Sequence, residues 1–449
     1  VTQANRIIVG LGTTGLSCAR YLHSLGETFQ VVDSRLDPPG LAELQAQFPG
    51  VQVTLGEFST ALLSAASELI VSPGISIQTP AIAAARAAGV AISGDIDIFS
   101  KAVRKPVVAV TGSNGKSTVV TLLAAMATRA GLRVGLGGNL DGAQAAPALD
   151  LLRQAEKDLY VLELSSFQLE TTASLAARAA VILNVSDDHM DRYASKHEYA
   201  AAKQRIFNGA QSVLVNRDDS ASTPWAKDCC VAASFGTDKP AQGQWGVVEE
   251  DGESVLVFGD EFVLRASSLK IAGKHNLSNA LAALALGQAI GLPRQAMLEA
   301  LQEFPGLPHR CQWLRNLRGV DYFNDSKGTN VGASIVAIES LGEMLKGKLV
   351  LIAGGVDKGA DFSVMAPVVE KFVKLAILIG RDAKNLASAF KDSIEIVFAS
   401  TMVEAVSIAA ARASTGDAVL LSPACASFDM FSDFTHRGRV FAGAVEELQ

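Results

Sequence analysis

Cysteine is scarce, with five in 449 residues (Cys18, Cys229, Cys230, Cys311 and Cys425). None stands in a CxxC pair or an even framework, which excludes a disulfide scaffold or a structural zinc site, points to a reducing compartment and leaves the thiols as packing residues. Charged residues make up 19% of the chain, the net charge is -7, and no run of Lys and Arg occurs. A nucleic-acid partner or an anionic membrane surface is therefore not expected. Low-complexity segments and solenoid-period repeats are absent. The start lacks a basic n-region and its apolar run breaks at Gly10 and Gly12, so no secretory signal is expected and the cytoplasm is the default compartment. One charge-free stretch, Leu277 to Pro293, approaches membrane-spanning length. Ser278, Asn279, Gly287, Gln288 and Gly291 interrupt it, and it reads as a buried Ala/Leu helix with no membrane insertion.

What is present is apolar residue, 49% of the chain, in a length that suits two to four domains. Short apolar runs (Ile7 to Val9, Phe29 to Val32, Leu69 to Val71) alternate with helix-like segments such as Leu16 to Leu25, the pattern of a parallel α/β sheet. A Rossmann-like domain is expected over 1–94. A second begins near 95 with the strand Val107 to Val110, joined in one sheet by Leu159 to Leu162 and Ala180 to Val185. Within it, residues 219 to 270 read as a β-rich hairpin insertion around Gly259 and Asp260. Phe304-Pro305-Gly306-Leu307-Pro308 punctuates the chain, and α/β alternation resumes over Leu349 to Ala353, Ala376 to Ile379 and Ala418 to Leu421. The expected fold class is α/β in three domains: 1–94, a P-loop-type domain over 95–306 with a mostly parallel sheet, and a Rossmann-like domain over 307–449.

Thr111-Gly112-Ser113-Asn114-Gly115-Lys116-Ser117-Thr118 lies between a strand and a helix, where backbone N–H groups and the helix N-terminus cradle phosphates. Lys116 is placed to neutralise the β/γ-phosphates and Ser117 or Thr118 to hold Mg²⁺, although Val110 occupies the usual first glycine position. Glu163 ends one strand and Asp187, Asp188, His189 and Asp191 follow another, a set suited to a divalent metal. Read alone, Glu163 serves equally as a turn cap, His189 as a structural histidine, and Lys203 as a solvated or ion-paired helix residue. Gly10-Leu11-Gly12-Thr13-Thr14-Gly15 with Asp33 matches a dinucleotide fingerprint, so a dehydrogenase is a rival reading. A P-loop switch protein is another.

These motifs, with Leu162 to Leu169 (Leu-Glu-Leu-Ser-Ser-Phe-Gln-Leu), Asp188-His189-Met190-Asp191-Arg192-Tyr193, Lys274-His275-Asn276 and Asn324-Asp325-Ser326-Lys327, together resemble the Mur ligases across all three domains. Ser72-Pro73-Gly74-Ile75 and Ser422 to Ser427 (Ser-Pro-Ala-Cys-Ala-Ser) place the resemblance nearest the D-glutamate-adding branch, and the Asp-Asn-Pro-Arg stretch of the diaminopimelate-adding branch is missing. The resemblance implies a first domain that binds a UDP-sugar, a central ATPase and a C-terminal amino-acid domain. It implies UDP-sugar contacts at Gly12, Thr13, Thr14, Asp33, Ser34, Arg35, Ser72, Gly74 and Asn139. ATP contacts are implied at Gly112 to Thr118 and at Asn276, Asn279, Arg310 and Asp325, with Lys327 near the reacting phosphate. D-glutamate contacts are implied at Thr329, Lys358, Ser427 and Phe434. Glu163, His189, Ser117 and a carbamylated Lys203 are the implied ligands of two Mg²⁺ sites, and the implied catalytic groups are Lys116, His189, Lys203 and Lys327. The implied partners are ATP, UDP-N-acetylmuramoyl-L-alanine and D-glutamate, joined through an acyl phosphate by a monomeric enzyme.

Overall fold

Apolar runs without polar alternation form parallel strands buried on both faces, and such runs organise this chain. The computed structural model describes residues 5–140, 145–186, 188–190, 192–226, 229–271, 273–357, 359–390 and 393–449. Among them the strands form three sheets. The first holds β1 (Arg6–Val9), β2 (Phe29–Asp33), β3 (Val53–Leu55), β4 (Glu68–Val71) and β5 (Ala91–Ser93) in the order β3-β2-β1-β4-β5. All its pairings are parallel, and the order is that of a dinucleotide-type sheet with its switch point between β1 and β4.

The central sheet contains β6 (Val107–Thr111), β7 (Val134–Gly138), β8 (Leu159–Glu163), β9 (Ala179–Ile182), β10 (Val213–Asn216), β11 (Val231–Phe235), β12 (Trp245–Glu250), β13 (Glu253–Phe258) and β14 (Glu261–Arg265). Its order is β14-β13-β12-β11-β10-β9-β6-β8-β7. β6 lies between β8 and β9, parallel to both, which sets the loop after β6 beside the ends of its neighbours. Residues 219–270 do form an antiparallel hairpin through β13 and β14. They are not a detached insertion, because β11 pairs in parallel with β10 and β12 with β11. Continuing the sheet satisfies an edge whose backbone groups would otherwise lie unpaired.

These two sheets share one unit, Val1–Arg265 with Asn279–Leu301. A common core runs through it, with Ile8, Leu11 and Phe99 in one cluster with Ala109, Leu149 and Leu162. The helix Asp95–Ala102 begins where the first sheet ends. Its Asp95 accepts a hydrogen bond from Gln168 Nε2 at 3.0 Å, and Asp97 accepts one from the Ala173 N–H at 3.0 Å.

The second unit, Ala266–Ser278 with Gln302–Gln449, holds β15 (Gln312–Leu317), β16 (Val320–Asn324), β17 (Leu349–Gly354), β18 (Val373–Ile379), β19 (Glu395–Phe398) and β20 (Ala418–Leu421), ordered β15-β16-β20-β17-β18-β19. β15 is antiparallel to β16 and the other pairings are parallel.

The expected Ala/Leu helix runs over Lys274–Ala289, with Ala280 to Leu286 fully buried. No helix among the described residues is long and apolar enough to cross a membrane. Cys18 and Cys425 are buried as packing residues, whereas Cys229 and Cys311 are half-buried and Cys230 is exposed. The packing expectation thus fails at Cys230, which leads into the exposed start of β11. Leu162→Ala, in the fully buried β8, is expected to lower the unfolding free energy by about 2–5 kcal/mol, measured by urea denaturation.

Candidate active site

The loop after β6 owes its shape to two constraints. Gly115 has φ of 84°, and a Cβ there would lie 2.3 Å from Asn279 Oδ1, so no side chain fits. Asn184, just past β9, pins the loop by accepting from the Asn114 N–H at 2.8 Å and donating from Nδ2 to the Asn114 carbonyl at 3.1 Å. The helix Lys116–Arg129 starts directly behind, turning the positive end of its dipole to the loop. Lys116 Nζ folds back to the carbonyls of Gly112 and Ser113, at 2.9 Å each.

Glu163, 3% exposed at the end of β8, accepts from Ser117 Oγ at 2.6 Å and from Asn139 Nδ2 at 3.1 Å. Lys203 is 1% exposed. Its Nζ donates to the Gly112 carbonyl at 2.9 Å, the oxygen that Lys116 also reaches, and lies 4.4 Å from the centre of the Tyr199 ring. Burial, reinforced by the charge of Lys116, holds the Lys203 ammonium well below the usual lysine range, against weaker opposition from Asp188 and Glu163. His189 adopts φ of 58°; its ring packs edge-on against Phe167 at 4.8 Å, and its Nε2 lies 3.6 Å from Asp188 Oδ2. Among the described residues, no three His, Cys, Asp or Glu side chains converge as a metal set. The hard donors that do meet are the Ser117 hydroxyl and the Glu163 carboxylate.

The first sheet forms a second tight glycine turn at its switch point. The helix Thr13–Ser24 begins after Gly12, and a Cβ on Gly15 would sit 2.0 Å from the Gly10 carbonyl oxygen. Ser72, past β4, donates from Oγ to the Gly10 carbonyl at 3.1 Å. Asp33 is 1% exposed and accepts from the Leu11 N–H at 2.7 Å, from the Arg35 N–H at 2.9 Å and from Arg35 Nη2 at 2.7 Å. Burial works to raise its carboxyl, but the bonds from Arg35 and Leu11 outweigh it and leave it below the ordinary value. Asp33 therefore braces the loop and aims Arg35, which sequence distance alone does not reveal.

In the second unit, Asp325 is 7% exposed, accepts from Ser422 Oγ at 2.7 Å and from the Cys311 N–H at 3.1 Å, and is pushed by burial up to about 6. Arg310 directly precedes Cys311. Lys327 Nζ lies 3.8 Å from the centre of the Phe434 ring. The Ala424 N–H donates to the Gly328 carbonyl at 2.9 Å, placing the Lys327–Thr329 turn against the segment that runs from β20 to Ser427, itself 2% exposed. Lys358 lies outside the described residues, as do Asp187 and Asp191.

Three family models match the chain: the MurD-like N-terminal domain of Mur ligases over residues 4–94, the Mur ligase middle domain over 110–287, and the Mur ligase glutamate ligase domain over 309–425. The UDP-N-acetylmuramoylalanine–D-glutamate ligase of Pseudomonas aeruginosa is 54% identical over 99% of this chain and 98% of its own. The ligase of the same name from Marinobacter nauticus is 53% identical over 100% and 99%. The chain belongs to the Mur ligase family. Among solved structures, the UDP-N-acetylmuramate-alanine ligase of Thermotoga maritima shares the fold, with a TM-score of 0.61 at 19% identity over 98% of this chain and 99% of that one. So does a pseudomurein peptide ligase type C from Methanothermus fervidus, at 0.62 and 18% over 99% and 100%.

Several residues packed against these motifs were not singled out from sequence. Tyr199 carries the Lys203 amine on its ring and meets Ser113 Oγ at 3.3 Å; the signal was its place one turn before Lys203. Asn184 was visible only as a polar residue beyond an apolar strand. In the second unit, Arg437, 1% exposed, donates to Ser326 Oγ at 3.0 Å and to the Cys425 carbonyl at 3.0 Å, joining two of the quoted motifs.

Lys203 generates a pH prediction. Its folded pKa is depressed, whereas an unfolded lysine keeps its proton to about pH 10.4. Between those values the unfolded chain binds more protons, so stability rises with pH. Lys203→Met in carbon-dioxide-free buffer is expected to flatten the rise of the unfolding free energy as the pH climbs towards about 10.4, read from urea curves. An unchanged slope would place the ammonium in water.

Proposed function

We propose that this Mur ligase joins the alanyl carboxylate of UDP-N-acetylmuramoyl-L-alanine to the amine of D-glutamate, using ATP. The observation that carries this reading is end-to-end similarity, 54% identity over 99% of the chain, to a relative named for that activity. The buried Ser117–Glu163 pair beside the phosphate loop supports it. In this reading residues 1–94 take the UDP-sugar, 95–306 take ATP, and 307–449 take D-glutamate, in a monomeric cytoplasmic enzyme of peptidoglycan precursor synthesis.

A carboxylate is a poor electrophile, and ATP supplies the leaving group it lacks. A carboxylate oxygen attacks the γ-phosphorus, the bond to ADP breaks, and the D-glutamate amine then attacks the acyl carbon, expelling phosphate as the nitrogen loses its proton. Lys116 and the helix dipole offset the repulsion between anions, so positioning and electrostatics supply most of the rate. Asn276, Asn279, Arg310 and Asp325 are assigned to the nucleotide. Gly12, Thr13, Thr14, Ser34, Arg35, Ser72, Gly74 and Asn139 are assigned to the UDP-sugar, with Asp33 behind them. Thr329, Ser427, Phe434 and Lys358 are assigned to D-glutamate, and Lys327 to the phosphate being transferred.

The donor set fits Mg²⁺. Ser117 and Glu163 offer hard oxygens 2.6 Å apart, the chemistry this ion takes, and would hold it, with His189 and a carbamate on Lys203 as the further donors that two sites would need. Bound Mg²⁺ supplies charge neutralisation at the phosphates. The depressed ammonium of Lys203 favours the neutral amine, the form whose nitrogen adds to carbon dioxide and sheds a proton to become a carboxylate-like ligand.

Lys116→Ala is expected to lower kcat by about 10²–10³-fold, equivalent to about 2.7–4 kcal/mol, in a steady-state phosphate-release assay with Mg²⁺. The wild-type chain is expected to release phosphate with UDP-N-acetylmuramoyl-L-alanine and D-glutamate, and not with L-glutamate, L-alanine, meso-diaminopimelate or D-alanyl-D-alanine. Release with a different acceptor alone would move the acceptor assignment. Nicotinamide turnover without phosphate release would restore the dehydrogenase reading.

A further inference from the structure

One arginine in the loop that follows β9 of the central sheet reaches the loop that follows β4 in the first. Arg192 Nη1 donates to the Pro73 carbonyl at 3.1 Å and Nη2 to the Ile75 carbonyl at 3.3 Å. These carbonyls flank Gly74, whose own Cβ direction is open space. The same guanidinium pairs with Glu170 at 2.6 Å, both side chains being 12% exposed, and stacks on the Phe167 ring at 4.4 Å. Glu170 also accepts from Tyr193 Oη at 2.6 Å. The far end of the assembly is His189: its ring touches Phe167 at 4.8 Å, and its carbonyl accepts from the N–H groups of Arg192 at 3.0 Å and Tyr193 at 3.1 Å.

We infer that Arg192 is a positioning residue that fixes the Ser72–Ile75 turn relative to the His189 turn, and so sets where the UDP-sugar lies relative to the phosphate loop. This rests on the assignment of that turn to the UDP-sugar. Only a planar, always-charged fork can bond two carbonyls and a carboxylate while presenting a face to an aromatic ring. A lysine would keep the charge but lose the second carbonyl and the stack. General docking of the two sheets does not depend on it, because Arg20, on the helix Thr13–Ser24, bonds Asp150 elsewhere, through Nε at 3.1 Å.

The test compares wild type, Arg192→Gln, Arg192→Lys and Arg20→Gln. Titration calorimetry gives the Kd for UDP-N-acetylmuramoyl-L-alanine and for ATP, steady-state kinetics gives the KM for D-glutamate, and circular dichroism confirms folding. Arg192→Gln is expected to weaken the nucleotide sugar by about tenfold, with ATP and D-glutamate changing by less than about twofold. Arg192→Lys should resemble Arg192→Gln rather than wild type, and Arg20→Gln should lower Tm without changing any substrate constant. A nucleotide-sugar Kd unchanged in both Arg192 variants, or all three constants rising together, would overturn the inference. Because Kd is read without turnover, wild type that binds the nucleotide sugar yet fails with D-glutamate would defeat the acceptor assignment while the Kd comparison still decides the role of Arg192.

Discussion

Two lysine amines, those of Lys116 and Lys203, converge on the one carbonyl oxygen of Gly112. Two ammonium ions sharing an acceptor in a buried place is an unfavourable arrangement, and the rest of the site is built so that only one of them need be charged. Lys116 lies at the loop where phosphates would bring negative charge. Lys203 is enclosed, with the Tyr199 ring beneath its nitrogen. The path of the loop is held by Asn184 on one side and by the glycine requirement at Gly115 on the other. Loosening that loop would disturb both amines at once.

The same economy of placement recurs in each sheet. Parallel strands end on one side, and the polar residues at those ends are gathered there without any long-range design of their own. In the first sheet they are the loop after β1 and Ser72 after β4. The central sheet contributes the glycine-rich loop after β6, Glu163 at the end of β8 and Asn184 past β9. Asn324, Asp325 and Ser422 stand at the corresponding ends of β16 and β20 in the third. Each of the three α/β sheets thus presents its own set of polar strand ends.

Much of this is legible in the amino-acid sequence. The apolar runs Ile7 to Val9, Val107 to Val110 and Leu349 to Ala353 are strands because nothing polar interrupts them, and the glycines after two of them mark turns that a Cβ would block. Less legible was anything decided by tertiary contact. Lys203 sits in a helix with Lys196, Glu198 and Gln204, a composition that reads as solvated; its burial comes from packing against the loop after β6. The sharing of Asp33 between Leu11 and Arg35, the continuation of the central sheet through β11, and the exposure of Cys230 likewise depend on which backbone meets which. The tie from Arg192 to Pro73 and Ile75 joins residues more than a hundred positions apart, and no local pattern announces it.

The central claim is that a carboxylate is activated by phosphoryl transfer before the amine attacks. It is tested most directly by placing heavy oxygen in the alanyl carboxylate of UDP-N-acetylmuramoyl-L-alanine and examining the phosphate released with ATP and D-glutamate by mass spectrometry. One heavy oxygen is expected in phosphate for each amide formed. Phosphate free of the label, with amide still accumulating, would contradict it.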